Sequence, residues 1–175
     1  MSFLARILGG KSGRERMLPL YQRVVATGRD PAWYRGGEVP DTVDGRFDIL
    51  AAVMALVLLR LEREEDRRTQ VSSTLLTELF IDDMDGSLRQ LGIGDLVVGK
   101  HMGKLMGALG GRLGAFREAV NSEGAMTASV KRNVFHEAPP SDAALRFVTE
   151  RLLRFHAALA AAPAPALLQG ELPAL

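Results

Sequence analysis

Asp82, Asp83 and Asp85 crowd together ahead of Gly86, at the start of the stretch DDMDGSLRQLGIGDLVVGK that runs to Lys100. Carboxylates this close suggest a hard cation first. A calcium loop opening at Asp83 needs glycine where Leu88 stands and a bidentate glutamate where Gly94 stands, and has neither. Gly94 to Lys100 comes near the phosphate-cradling pattern Gly-x4-Gly-Lys-Ser/Thr. His101 takes the place of the hydroxyl that would meet magnesium, and no strand precedes Gly94. His101, His136 and His156 lie on separate segments, without metal-ligand spacing. No nucleophile elbow surrounds any serine, and the chain has no cysteine. No cofactor is expected, and the pattern disfavours an enzyme.

The same residues read better as a binding surface. Glu78, Asp82 and Asp85 form an acidic helix face, with Asp85 and Arg89 an i,i+4 pair. Asp82, Asp83 and Asp85 are expected outside, with Met84 and Leu88 turned inward. Gly92 and Gly94 break the chain, and Asp95 caps a helix that carries Lys100 and Lys104. Met84, Met102, Met106 and Met126 are the residues able to adapt to varied apolar partners. The expected partner-binding set is Asp82, Asp83, Asp85, Arg89, Asp95, Lys100, Lys104, Met84, Met102 and Met106. Losing the charges of Asp83 and Asp85 is expected to weaken a partner and leave folding nearly unchanged.

The elements that must hold this surface are all helical. Leu18–Thr27 is a helix with Pro19 in its first turn and Gly28 as its stop. A loop rich in Pro and Gly follows, pinned by Trp33 and Tyr34. Asp41 or Asp44 caps a central helix from about Gly45 to Glu65, apolar on nearly every side, with Arg60 in its solvated end. Residues 67–91 make one or two helices with Leu75, Leu76, Leu79, Phe80, Met84, Leu88 and Leu91 inward. The next helix runs from Leu96 to about Leu109, with a kink or turn at Gly110 and Gly111. Further helices cover Arg112–Asn121, Met126–Phe135 and, capped by Ser141 or Asp142, the segment through Leu159. The reading is an all-α, single-domain bundle of six or seven helices over residues 18–162. A basic amphipathic segment (1–17) precedes it and a disordered Pro/Ala-rich tail (163–175) follows.

Composition agrees. A chain of 175 residues, 47% apolar and 25% charged, has the make-up of one ordinary globular domain. Its longest uncharged apolar run, Ile49–Leu59, is too short for a bilayer span of about 20 residues. The near-zero net charge is unevenly spread. Residues 1–36 carry seven Lys/Arg against two Asp/Glu, and residues 37–85 five against twelve. Residues 86–135 return to seven against three. Such segregation suits a protein partner or an anionic lipid surface. Without a signal-peptide layout, the expected place is the cytoplasm, with Phe3–Leu8 as a peripheral contact to the inner membrane.

Five stretches then carry a resemblance: YQRVVA (21–26), VPDTVDGRFDIL (39–50), ALVLLRL (55–61), DMDGSLRQLGIGDLVVGK (83–100) and KRNVF (131–135). In this order and spacing they resemble the ubiquinol–cytochrome c chaperone family. The resemblance implies a helical, non-catalytic assembly factor of the bacterial type. Its client would be newly made cytochrome b during biogenesis of the ubiquinol–cytochrome c reductase, with a small partner subunit in some relatives and no nucleic acid. Two other classes compete: a small-molecule or lipid-processing enzyme on a helical scaffold, which needs a deep polar pocket, and a general helical interaction module.

Overall fold

The computed structural model describes residues 3–90, 95–136 and 139–175, with side chains described over 13–90, 99–136 and 139–175. Among the described residues there are eight α-helices, one π-helical turn and no strand: α1 (Phe3–Gly28), α2 (Ala32–Arg35), α3 (Val43–Leu61), α4 (Arg67–Gln90), α5 (Asp95–Ala119), α6 (Glu123–Val130), the π turn (Lys131–Phe135), α7 (Asp142–Ala161) and α8 (Ala164–Leu168). Six of these have eight residues or more, as the periodicity predicts.

Helix α3 is the axis. Every residue from Asp48 to Leu61 is buried, and α1, α4, α5, α7 and the π turn pack around it. A helix apolar all round has no solvent face to offer, so its neighbours must enclose it. Each fully buried Leu, Ile or Val contributes about 1.5–3 kcal/mol. Its cap is Thr42, whose hydroxyl accepts from the Gly45 amide at 3.1 Å, in place of the expected Asp41 or Asp44. The β-region backbone of Thr42 is the geometry a capping side chain needs. Gly45 is required there, because a Cβ would lie 2.0 Å from the Pro40 carbonyl oxygen.

Arg60 is not part of a solvated end. It is 9% exposed, and its guanidinium donates to the carbonyls of Leu159 and Ala162, both at 2.9 Å. These carbonyls end α7, where a cation is favoured by the helix dipole. The helix after Arg67 is single and runs to Gln90. Asp66 accepts from the Thr69 amide at 2.9 Å and its hydroxyl at 2.6 Å, which anchors the start of α4.

Three further expectations fail. Helix α1 begins at Phe3, so Pro19 sits inside it and residues 3–17 run on into the same helix. The side chains of Phe3–Leu8 lie outside the described residues. Gly110 and Gly111 do not break α5, which continues to Ala119. The C-terminal tail is ordered: α8 buries Leu167 completely, and Leu172 is 7% exposed. Gly170, at φ +89°, lets the chain close on Pro19. The tail's Ala and Pro suggested disorder, but Leu167 and Leu172 join the core and Leu168 packs against it. Ser141 caps α7, accepting from the Ala144 amide at 3.2 Å, as predicted.

Candidate functional site

The acidic cluster faces α1. Asp82 is exposed and pairs with Arg14. Asp83 is half-buried and accepts from the Tyr21 hydroxyl at 2.7 Å. Burial first, and then this carboxylate, push the Tyr21 phenol well above its ordinary range. Glu78 lies 4.0 Å from Arg14. Asp85 is also half-buried and holds Arg89 at 2.7 Å, the i,i+4 pair expected. Asp82 is exposed as expected, whereas Asp83 and Asp85, also expected outside, are half-buried. Part of the basic N-terminal charge folds against the acidic helix, so the segregation along the chain is partly cancelled in space. Asp83 in particular joins two helices.

The apolar members lie on the distal half of the α4–α5 pair. Phe80 is the last buried residue of α4, and Leu109 is the first buried one along the described side chains of α5. Between them, Met84, Leu88, Met102, Leu105 and Met106 are all half-exposed. Met84 and Met106 lean on the core. Lys100 and Lys104 are exposed. Asp95 opens α5 as its first helical residue; its side chain, and Leu91, Gly92 and Gly94, lie outside the described residues. Met126 is fully buried and so belongs to the core.

The outer face of α5 went unread in the sequence. Gly99, Gly103, Gly107, Gly110, Gly111 and Gly114 have nothing within 4 Å of where a Cβ would stand. At about 100° per residue they share one face roughly 120° wide. Leu109, Arg112, Phe116 and Ala119 are the buried residues among the described side chains of this helix, and they lie on its opposite side. By the same geometry Met102, Met106 and Leu113 border the glycine face on one flank and Lys104 on the other, while Lys100 falls inside it between Gly107 and Gly111. Glycine in an exposed helix interior is about 1 kcal/mol less favourable than alanine. No neighbour among the described residues uses the space these six leave.

A second feature is a buried polar junction. Asp48 of α3 is 4% exposed and Arg112 of α5 is 2% exposed; the two are paired. Arg112 also donates through Nε to the Asn133 carbonyl at 3.2 Å and lies 5.4 Å over the Phe47 ring. The second Asp48 oxygen meets His136 Nε2 at 2.8 Å. Burial pushes the Asp48 carboxyl up, and the Arg112 charge and His136 pull it back. His136 has φ +49° and directly follows the π turn, a strained geometry held by these contacts. The junction ties α3, α5 and the π turn together. Among the described residues no group of three His, Asp or Glu is placed to hold a metal, and no helix is long and apolar enough to cross a membrane.

The likeness to known proteins agrees with this architecture. The profile of the ubiquinol-cytochrome C chaperone family matches residues 36–174. No curated protein matches the chain in sequence. Among solved structures, the crystal structure of the Cbp3 homolog from Brucella abortus is similar at a TM-score of 0.82 and 29% identity, over 99% of this chain and 97% of that one. A profile match over most of the chain, together with a shared fold from end to end, places it: the chain belongs to the ubiquinol-cytochrome C chaperone family, which serves the assembly of the ubiquinol–cytochrome c reductase.

Proposed function

We propose that the chain is a non-catalytic chaperone for newly made cytochrome b, and that it seats an apolar client segment on the outer face of α5 and the adjoining end of α4. The observation that carries this is the exposed glycine face. Small residues let a second helix approach a backbone closely, as helices do in membranes. Cytochrome b is a membrane protein, and its segments need cover before assembly. Half-exposed methionines on one flank can repack around different side chains. Lys104 on the other flank, with Lys100 just inside it, supplies a charged rim, which favours orientation and rate of encounter more than affinity. Arg89, Asp82 and Asp85 lie on the neighbouring helix as rim groups, and Asp83 is a positioning residue through Tyr21.

Work at the cytoplasmic face of the inner membrane follows from such a client. The test is capture from solubilised membranes with photo-crosslinkers at positions 102 and 106. Cytochrome b should be crosslinked, and a deletion strain should lose ubiquinol–cytochrome c reductase while keeping other respiratory complexes. Normal assembly in the deletion strain rejects the reading. Crosslinks that avoid cytochrome b reject the client.

A further inference from the structure

Away from the glycine face, the link between α1 and α3 forms a rigid, positively charged depression. Its frame is built from aromatics. Trp33 is fully buried and donates through Nε1 to the Thr27 carbonyl at 2.8 Å. The Tyr34 hydroxyl donates to the Gly28 carbonyl at 3.0 Å. The aromatics of α2 thus satisfy the last carbonyls of α1. Arg151 of α7 lies 4.5 Å over the Trp33 ring and pairs with Asp30. The Ala32 amide donates to the other Asp30 oxygen at 2.9 Å. The backbone here is fixed before any ligand arrives.

On the outer side of this frame is a cavity of about 460 Å³ lined by Arg29, Pro31, Tyr34, Arg35, Asp41 and Arg46. Its size is that of a small-molecule site. Three guanidiniums face one carboxylate. Asp41 is engaged through Arg46 Nε at 2.6 Å, which fixes the Arg46 plane and leaves its terminal nitrogens without a bonded partner among the described residues. The Arg29 and Arg35 side chains make no hydrogen bond or ion pair among the described residues. The nearby Asp30 is held by Arg151. Like charges gathered round a concavity repel unless an anion joins them. Burial raises the Tyr34 phenol; the Arg46 charge opposes that rise, Asp41 adds to it and the Arg29 charge opposes it.

We infer that this depression is a binding site for a phosphate group, with Arg29, Arg35 and Arg46 as its donors and Tyr34 with Pro31 as a wall for the small organic group attached to it. Guanidinium pairs phosphate bidentately, and three of them match its several oxygens. The phosphate can come from a soluble phosphomonoester or from a lipid headgroup. The inference is independent of the client-binding reading.

The test uses the full chain with two probes. Calorimetry with inorganic phosphate and glycerol 3-phosphate measures the soluble source. Flotation with phosphatidylcholine vesicles, with and without phosphatidic acid, measures the lipid source. Saturable binding in either arm is expected. Arg29→Gln with Arg35→Gln, both at exposed sites, should keep the helical spectrum and weaken binding roughly tenfold or more, since each lost charge-assisted bond is worth at least that. Flotation that depends on the same pair assigns the lipid headgroup; saturable calorimetry that depends on the pair, without flotation, assigns a soluble phosphate, and saturable binding that the pair leaves unchanged overturns the inference. The inference is overturned if neither probe saturates. It is equally overturned if Lys100→Gln with Lys104→Gln weakens binding as much, since the effect would then be general charge.

Discussion

Replacing Gly103 and Gly107 by alanine should move stability and binding in opposite directions. Neither position has an atom within 4 Å of an added Cβ, so no clash offsets the gain in helix propensity. Each substitution in an exposed helix interior should stabilise by about 1 kcal/mol. The pair then contributes about 2 kcal/mol, a rise of roughly 4–8 °C in Tm for a chain of this size. Two methyl groups in the path of an approaching helix should have the opposite effect on the client. Overpacking a tight contact costs about 1–3 kcal/mol, or roughly 5- to 150-fold in Kd. Thermal unfolding followed by circular dichroism reads the first quantity. Binding of labelled apolar segments of cytochrome b, by anisotropy in detergent, reads the second. Gly124→Ala is the control, because Gly124 of α6 is also exposed with open space above it; it should leave binding alone. A loss of stability in the double variant would show that the fold itself uses the glycines. A stabilised variant with unchanged client affinity would remove the glycine face from the binding site.

Four other outcomes follow from the contacts. Asp48→Ala should cost about 3–5 kcal/mol in urea unfolding, because it strands the buried Arg112 charge; a loss below 1 kcal/mol would mean that the junction does not hold α3 to α5. Tyr21→Phe should cost about 1 kcal/mol through the lost bond to Asp83, and Asp82→Ala less, since its pair with Arg14 is exposed; the reverse order in matched melts would contradict the assigned roles. Leu167→Ala should cost about 2–5 kcal/mol and expose the C-terminus to limited proteolysis, whereas a disordered tail would show neither effect. His156 has its pKa lowered by burial and then by the Arg63 charge, and it lies 3.1 Å from an Arg63 nitrogen. The unfolded chain therefore binds the proton more readily, so stability rises with pH through the histidine range and is lost as pH falls below about 6.5. His156→Phe should flatten Tm over that range, and an unchanged slope would reject the assignment.

The helical class, the central helix and the family were legible in the chain because they rest on local spacing. The apolar run around Ile49–Leu59 admits only a core helix, and Ser141 needs only its own next turn to act as a cap. Asp85 and Arg89 likewise meet within one helix. Whatever depended on a partner far along the chain was not legible. Arg60 looks solvated until the carbonyls ending α7 are brought to it from about 100 residues away. Asp83 looks free until Tyr21 arrives. The tail looks disordered by composition, yet burying Leu167 outweighs the entropy of ordering a short Pro-restricted segment. Asp48, Arg112 and Asn133 are unremarkable singly, though VPDTVDGRFDIL and KRNVF held two of them in view. Packing alone makes them one junction. Of the six glycines of α5, Gly110 and Gly111 read as a kink or turn, because propensity records what glycine does to a helix in isolation. Only the tertiary structure decides that the helix survives them, since its opposite side is anchored by Leu109, Arg112 and Phe116, and that their face is left open.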